Sequence, residues 1–173
     1  MIRAIRVFIA VVAVAVVASC GSGDSSKSSK LKGYSGPPVT QVVVKKGDRK
    51  LYLISGKSVV KSYEIDLGRQ PVGDKKYEGD GKTPEGLYFI DRLNPNSRYH
   101  LSVGISYPSA QDVAEAAMLG LRPGGDIFIH GLGPEGRALN KADWTAGCIA
   151  VTDEEIEEIF AMLRPGVPIF INP

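Results

Sequence analysis

Eight short runs rich in Val, Ile, Leu and Tyr, each broken off by turn-forming residues, leave this chain little choice of architecture. The first three, over 39–45, 50–54 and 58–66, are separated by Gly47-Asp48 and Ser55-Gly56 and predict consecutive antiparallel strands. Residues 86–91, 99–105, 126–130, 148–151 and 167–171 supply the others, with Tyr99, Leu101, Val103 and Ile105 alternating onto one face. Strands this short bury their apolar side only against another sheet or a sheet curled on itself. The expected fold is therefore mostly β with two short helices, a single-domain sandwich or barrel.

Both helices carry their own start and stop signals. One, over 111–119, begins after Ser109 with Asp112 three residues on and stops at Gly120. The other begins at Thr152 with Glu155 as capping-box partner, places Ile156, Ile159, Phe160 and Leu163 on one face, and ends at Arg164-Pro165-Gly166. Asp153, Glu154 and Glu155 complement the positive end of that helix and are not read as metal ligands. Two long polar segments, 68–83 and 131–143, read as loops; the second begins at His130 and ends just before Trp144, so it must fold over whatever binds between them.

The N-terminus predicts where the chain resides. Arg3 and Arg6 precede an apolar stretch over 7–18 that is too short to span a bilayer, the pattern of a secretory signal peptide. Val17-Ala18-Ser19-Cys20 resembles the lipobox of bacterial lipoproteins, which implies cleavage before Cys20 and acylation of its thiol. Residues 21–30 have no apolar side chain to bury and read as a flexible tether. The expected organisation is a signal peptide over 1–19, a lipidated Cys20 and tether over 20–38, and a folded domain over 39–173. The chain is thus expected in the cell envelope, exported and held to a membrane through Cys20, on the periplasmic face. Removing 1–19 takes away two positive charges and no negative ones, so the formal net charge falls from +2 to zero. With no basic stripe to displace counterions, nucleic acid is excluded as a partner.

With Cys20 committed, Cys148 has no cysteine left to pair with, and it follows His130 by eighteen positions. A lone thiol with a histidine reads as nucleophile and base: the thiolate attacks, and a neighbouring imidazolium lowers a thiol from ~8.5 into the physiological range. Gly147 either lets backbone approach a substrate, its amides helping to form an oxyanion hole, or simply serves a tight turn. Trp144 either packs over a bound peptide or caps the core edge. A zinc site on His130, Cys148 and His100 lacks further ligands at sensible spacing, and His100 reads as a solvated residue on the polar side of its strand.

Ile127-Phe128-Ile129-His130-Gly131, a variable loop, then Thr145-x-Gly147-Cys148-Ile149 form an ordered set with Lys82-Thr83-Pro84-Glu85-Gly86, Tyr107-Pro108 with Asp112, and Pro123-Gly124-Gly125-Asp126. This set resembles the catalytic domain of L,D-transpeptidases of the YkuD type, which remodel peptidoglycan, and it covers 39–173. The resemblance implies Cys148 as nucleophile, His130 as base and the Gly131 carbonyl as the group orienting the imidazole. Trp144, Thr145 and Gly147 are the expected substrate-binding residues, peptidoglycan stem peptides the expected partners, and no metal or cofactor is implied. In such enzymes the cysteine attacks the L-centred third residue of a tetrapeptide stem, usually a diamino acid; D-alanine leaves, and an acceptor amine resolves the thioester. Ala146 stands where many members carry a second histidine, and Ala150 where many carry arginine or asparagine. Those losses are not read as inactivity, but they leave open a hydrolytic relative, either an L,D-carboxypeptidase or a protein-peptidoglycan amidase; a non-catalytic peptidoglycan-binding lipoprotein is a further alternative.

Overall fold

Val42 and Val44 on one strand and Leu51 and Leu53 on the next are fully buried, while their sequence neighbours are less so; this period-two burial is the unit from which the domain is built. The computed structural model describes residues 31–173. The signal peptide, Cys20 and the tether over 21–30 lie outside the described residues. The elements, in chain order, are β1 (Gln41–Lys45), β2 (Lys50–Ser55), β3 (Ser58–Glu64), β4 (Gly86–Asn94), β5 (Ser102–Ile105), α1 (Ala110–Met118), β6 (Phe128–His130), α2 (Gly133–Leu139), β7 (Ile149–Ala150), α3 (Asp153–Met162) and β8 (Pro168–Asn172).

All eight strands join one curled sheet in the order β3-β2-β1-β8-β4-β5-β6-β7. The last strand is inserted at its middle, parallel to β1 and antiparallel to β4. Bulges in β3 at Val60, opposite Leu53/Ile54, and in β4 between Ile90 and Arg92 accompany the curl. The two ends then meet: the segment after β3 exchanges backbone hydrogen bonds with β7, Asp66 N–H to Ala150 O at 2.9 Å and Ala150 N–H to Asp66 O at 2.8 Å. The mostly β, barrel-like expectation describes this arrangement. α3 closes the core by setting Ile156, Ile159 and Leu163 among the buried residues of the sheet, such as Leu101, Ile129 and Ile149.

α1 and α3 begin where their capping boxes predict, with Ser109 and Thr152 as N-caps and Asp112 and Glu155 reaching back. Among the described residues the count of two helices is corrected to three, because α2 lies inside the segment read as a loop over 131–143. Its seven residues, Gly133-Pro134-Glu135-Gly136-Arg137-Ala138-Leu139, include two glycines and no side-chain N-cap, so local propensity says nothing for it. Tertiary partners hold it: Gly133 N–H donates to Asp153 Oδ1 at 2.9 Å, Arg137 pairs with Asp153, and Gly136 sits against the Trp144 ring.

The fifth strand is also shorter than expected. Tyr99 and His100 precede it, His100 turning the chain with φ +72°, and every residue of β5 is buried. His100 is therefore not a solvated strand residue; its Nε2 lies 2.8 Å from Glu157 Oε1 on α3. Within the segment read as tether, Lys32 bonds to Glu154 and Glu157 and Tyr34 packs against the core.

Candidate active site

β6 delivers His130. Paired with Ser102 of β5 on one side and Ala150 of β7 on the other, it ends the strand with a 3% exposed side chain. Its Nδ1 lies 2.6 Å from the carbonyl oxygen of Gly131. A carbonyl only accepts, so Nδ1 carries the proton, and in the neutral ring Nε2 is left with a lone pair. Tyr99 stacks on the imidazole with centroids 4.6 Å apart, and Trp144 meets it edge-on at 5.6 Å. Burial pushes His130 below its ordinary value, outweighing the opposite effect of the Gly131 hydrogen bond.

Cys148 lies just before β7, at the end of a turn that Thr145 organises. The Thr145 hydroxyl donates to Cys148 O at 2.7 Å and accepts the Gly147 N–H at 3.1 Å. Thr145 is itself stitched to the segment after β3, donating N–H to Leu67 O and accepting from Arg69 N–H. Gly147 has φ +139°, and a Cβ there would lie 2.6 Å from the carbonyl oxygen of Lys82. Both the backbone angle and the close approach demand glycine, and its amide is engaged by Thr145 rather than turned to an oxyanion.

The polar segment over 68–83 is the buttress behind this turn. A Cβ on Gly68 would collide with the Gly81 carbonyl, and Gly68 N–H donates to the buried Thr83 hydroxyl at 3.1 Å. Asp80 gathers the segment by pairing with buried Lys75 at 2.9 Å and accepting the N–H groups of Lys76, Tyr77 and Lys82. Burial works against its charge, yet these donors hold the carboxyl below its ordinary value.

The Cys148 sulfur is half-buried; its Sγ–H donates to Asp126 O at 3.5 Å, and Phe128 N–H points back at it. Burial is the main cause pushing the thiol up from its ordinary value; the Phe128 amide acts against it and the Asp126 charge with it. The two shifts run against the expectation of a thiol lowered by an imidazolium: burial raises the thiol and lowers the histidine, each favouring its uncharged form.

Cys148 and His130 line one hollow of about 240 Å³ together with Asn94, Ser97, Tyr99 and Asp126. The structure thus brings together Cys148, His130 and the Gly131 carbonyl. Thr145 and Gly147 shape the turn that carries Cys148. Trp144 faces a neighbouring hollow with Asp66, Leu132 and Lys141, its indole N–H buried without an acceptor among the described residues. The sequence reads Tyr99 only as a strand residue and Asp126 only as part of the Pro123-Gly124-Gly125-Asp126 motif, and the structure puts both in the lining of the hollow. Asp126 stands four residues before His130 and was within reach of inspection; Tyr99 reaches the imidazole through a loop, and no local pattern signals it.

Residues 40–171 match the family model described as the L,D-transpeptidase catalytic domain, YkuD. YafK of Escherichia coli (strain K12), whose designation as an L,D-transpeptidase is provisional, is 30% identical over 159 residues, covering 85% of this chain. The chain spans only 58% of the length of YafK. Among solved structures, the helical cell shape determining protein Pgp2 from Campylobacter jejuni is 30% identical with a TM-score of 0.61, over 80% of this chain and 49% of Pgp2. Bd1075 of Bdellovibrio bacteriovorus, at 24% identity and a TM-score of 0.54, shares the fold over 82% of this chain and 50% of its own. With three quarters of its length matched and its histidine and cysteine brought into one hollow, the chain belongs to the YkuD family of L,D-transpeptidase catalytic domains.

Proposed function

We propose that this chain is a cell-envelope acyltransferase that cuts and rejoins peptidoglycan stem peptides through a thioester on Cys148. The observation that carries the reading is the shared hollow of Cys148 and His130, with Nδ1–H committed to Gly131 and Nε2 left as the basic nitrogen. The sulfur attacks the carbonyl of the third, L-centred residue of a tetrapeptide stem while its proton passes to Nε2. The bond to D-alanine breaks as His130 returns the proton to the departing amine, leaving a thioester. An acceptor amine then attacks, gives its proton to His130, and the released sulfur takes it back. Similarity to Pgp2, named for determining helical cell shape, supports the wall as the site of action. Export by the signal peptide and acylation of Cys20 place the domain beside a membrane in this reading; Cys20→Ser is expected to release it from the membrane fraction.

The test is incubation of the protein with tetrapeptide muropeptides. Released D-alanine with cross-linked dimers is the expected result. Trimmed monomers without dimers would establish the hydrolytic alternative, and unchanged muropeptides the non-catalytic one.

A further inference from the structure

One row across the sheet carries charge to the rim of the hollow. Arg92 of β4 stands opposite Gly104 of β5, and Gly104 opposite Phe128 of β6. A Cβ on Gly104 would lie 2.6 Å from Arg92 Cγ, so the missing side chain is what lets Arg92 cross β5. Its guanidinium lies 4.5 Å from the centre of the Phe128 ring, and from there Nη2 donates to Asp126 Oδ1 at 3.0 Å and Nη1 to Asp91 Oδ2 at 2.6 Å. Two carboxylates thus share one cation, which leaves a net negative charge at this point.

Among the described residues Asp126 is the only carboxylate in the lining of the hollow, and its side chain is 86% exposed. Arg98, the cation in that lining, is already committed to Glu135. The backbone oxygen of Asp126 is the group on which the Cys148 thiol rests, so its carboxylate belongs to the same residue that touches the nucleophile. A side chain leaving a carbonyl seated at that sulfur has this charge within the same hollow.

We propose that Asp126, steadied by Arg92, selects the donor stem by receiving the terminal ammonium of the side chain on the residue that Cys148 attacks. The inference rests on the acyl-transfer reading and adds to it the residue that chooses the donor. Seating an ammonium there has a second effect. After burial, the Asp126 charge is what holds the thiol up, so a cationic donor cancels part of the field that resists ionisation of its own attacker.

The test uses the full chain carrying Cys148→Ala, titrated calorimetrically with three stems, L-Ala-γ-D-Glu-X-D-Ala, where X is diaminopimelate, lysine or norleucine. The two amine-bearing stems are expected to bind about tenfold more tightly than the norleucine stem, the scale of one charge-assisted hydrogen bond. Adding Asp126→Asn should close that gap to about twofold; Asn tolerates the φ of +55° at this position, and a preserved melting temperature checks the fold. Independently of that variant, the gap should narrow as salt is raised from about 0.05 M to about 0.5 M. Equal affinities, no binding of any stem, a gap that survives Asp126→Asn in a folded chain, or a gap indifferent to salt would overturn the proposal. D-alanine release by the unsubstituted chain is read separately: its absence with amine selectivity intact sinks the acyl-transfer reading alone.

Discussion

At the scale of single residues, the site is defined by what burial does to two titrating groups. His130 is held below its ordinary value of 6.5, so the folded state disfavours its protonation. Its contribution to stability is complete above about 6.5 and is lost as pH falls through the lowered value, because the unfolded chain takes up the proton first. Urea melts between about pH 7 and 5 are expected to show this slope, and His130→Gln to flatten it. The same shift keeps Nε2 unprotonated into mildly acidic solution. Acylation of Cys148 by a carbapenem, followed by intact mass, should therefore lose rate only below the ordinary histidine range, and Cys148→Ala should gain no mass. Thr145→Val makes a separate point: it strands the Gly147 N–H and the Cys148 carbonyl. A cost of about 1–3 kcal/mol in urea melts is expected, together with slower acylation.

At the scale of elements, α2, α3 and the Trp144 turn act as one bracket around the imidazole. Asp153 at the start of α3 holds Gly133 and Arg137 of α2, while Gly136 of α2 abuts Trp144, whose ring meets His130. Gly to Ala inside a helix ordinarily gains about 1 kcal/mol. At Gly136 the sign should reverse, because the new Cβ would lie 2.7 Å from Trp144 Cζ2. Gly136→Ala is therefore expected to lower the melting temperature and shift the emission of Trp144, the only tryptophan. Unchanged emission with a higher melting temperature would show that the bracket is slack. α1 and α3 were legible because their capping boxes are local chemistry; α2 was not, because its reasons lie in residues up to twenty positions away.

At the scale of the whole molecule, the curled sheet is held shut at the place where the site forms. Asp143, at φ +48°, accepts from Leu67 N–H at 2.9 Å and from Arg49 at 3.1 and 2.7 Å, and its own N–H donates to Asp66. It thereby ties the β1–β2 turn and the segment after β3 to the loop that carries Cys148. Asp143→Ala removes these acceptors and places a poorer residue in a left-handed conformation, so a loss of about 2–4 kcal/mol is expected by urea denaturation. Asp143→Asn, which suits that conformation and keeps one acceptor, should cost less. Equal losses in the two variants would mean that the carboxylate matters only as a charge. The strands themselves were legible from alternation, whereas the insertion of β8 between β1 and β4 was not, because periodicity reports which face is buried and not which neighbour pairs.

The amino-acid sequence alone determined the succession of short strands, the two capped helices, and the pairing of His130 with Cys148 as a family pattern, because each is written in nearby residues or in a fixed spacing. Tertiary structure alone decided that α2 exists, that Thr145 and Gly147 shape the turn beneath the sulfur, and that Arg92 crosses an empty position at Gly104 to reach Asp126. It also decided that burial raises the Cys148 thiol and lowers the His130 imidazole. The physical reason is common to all of these: each depends on desolvation or on van der Waals contact between segments far apart in the chain, and neither exists until the sheet has curled and closed.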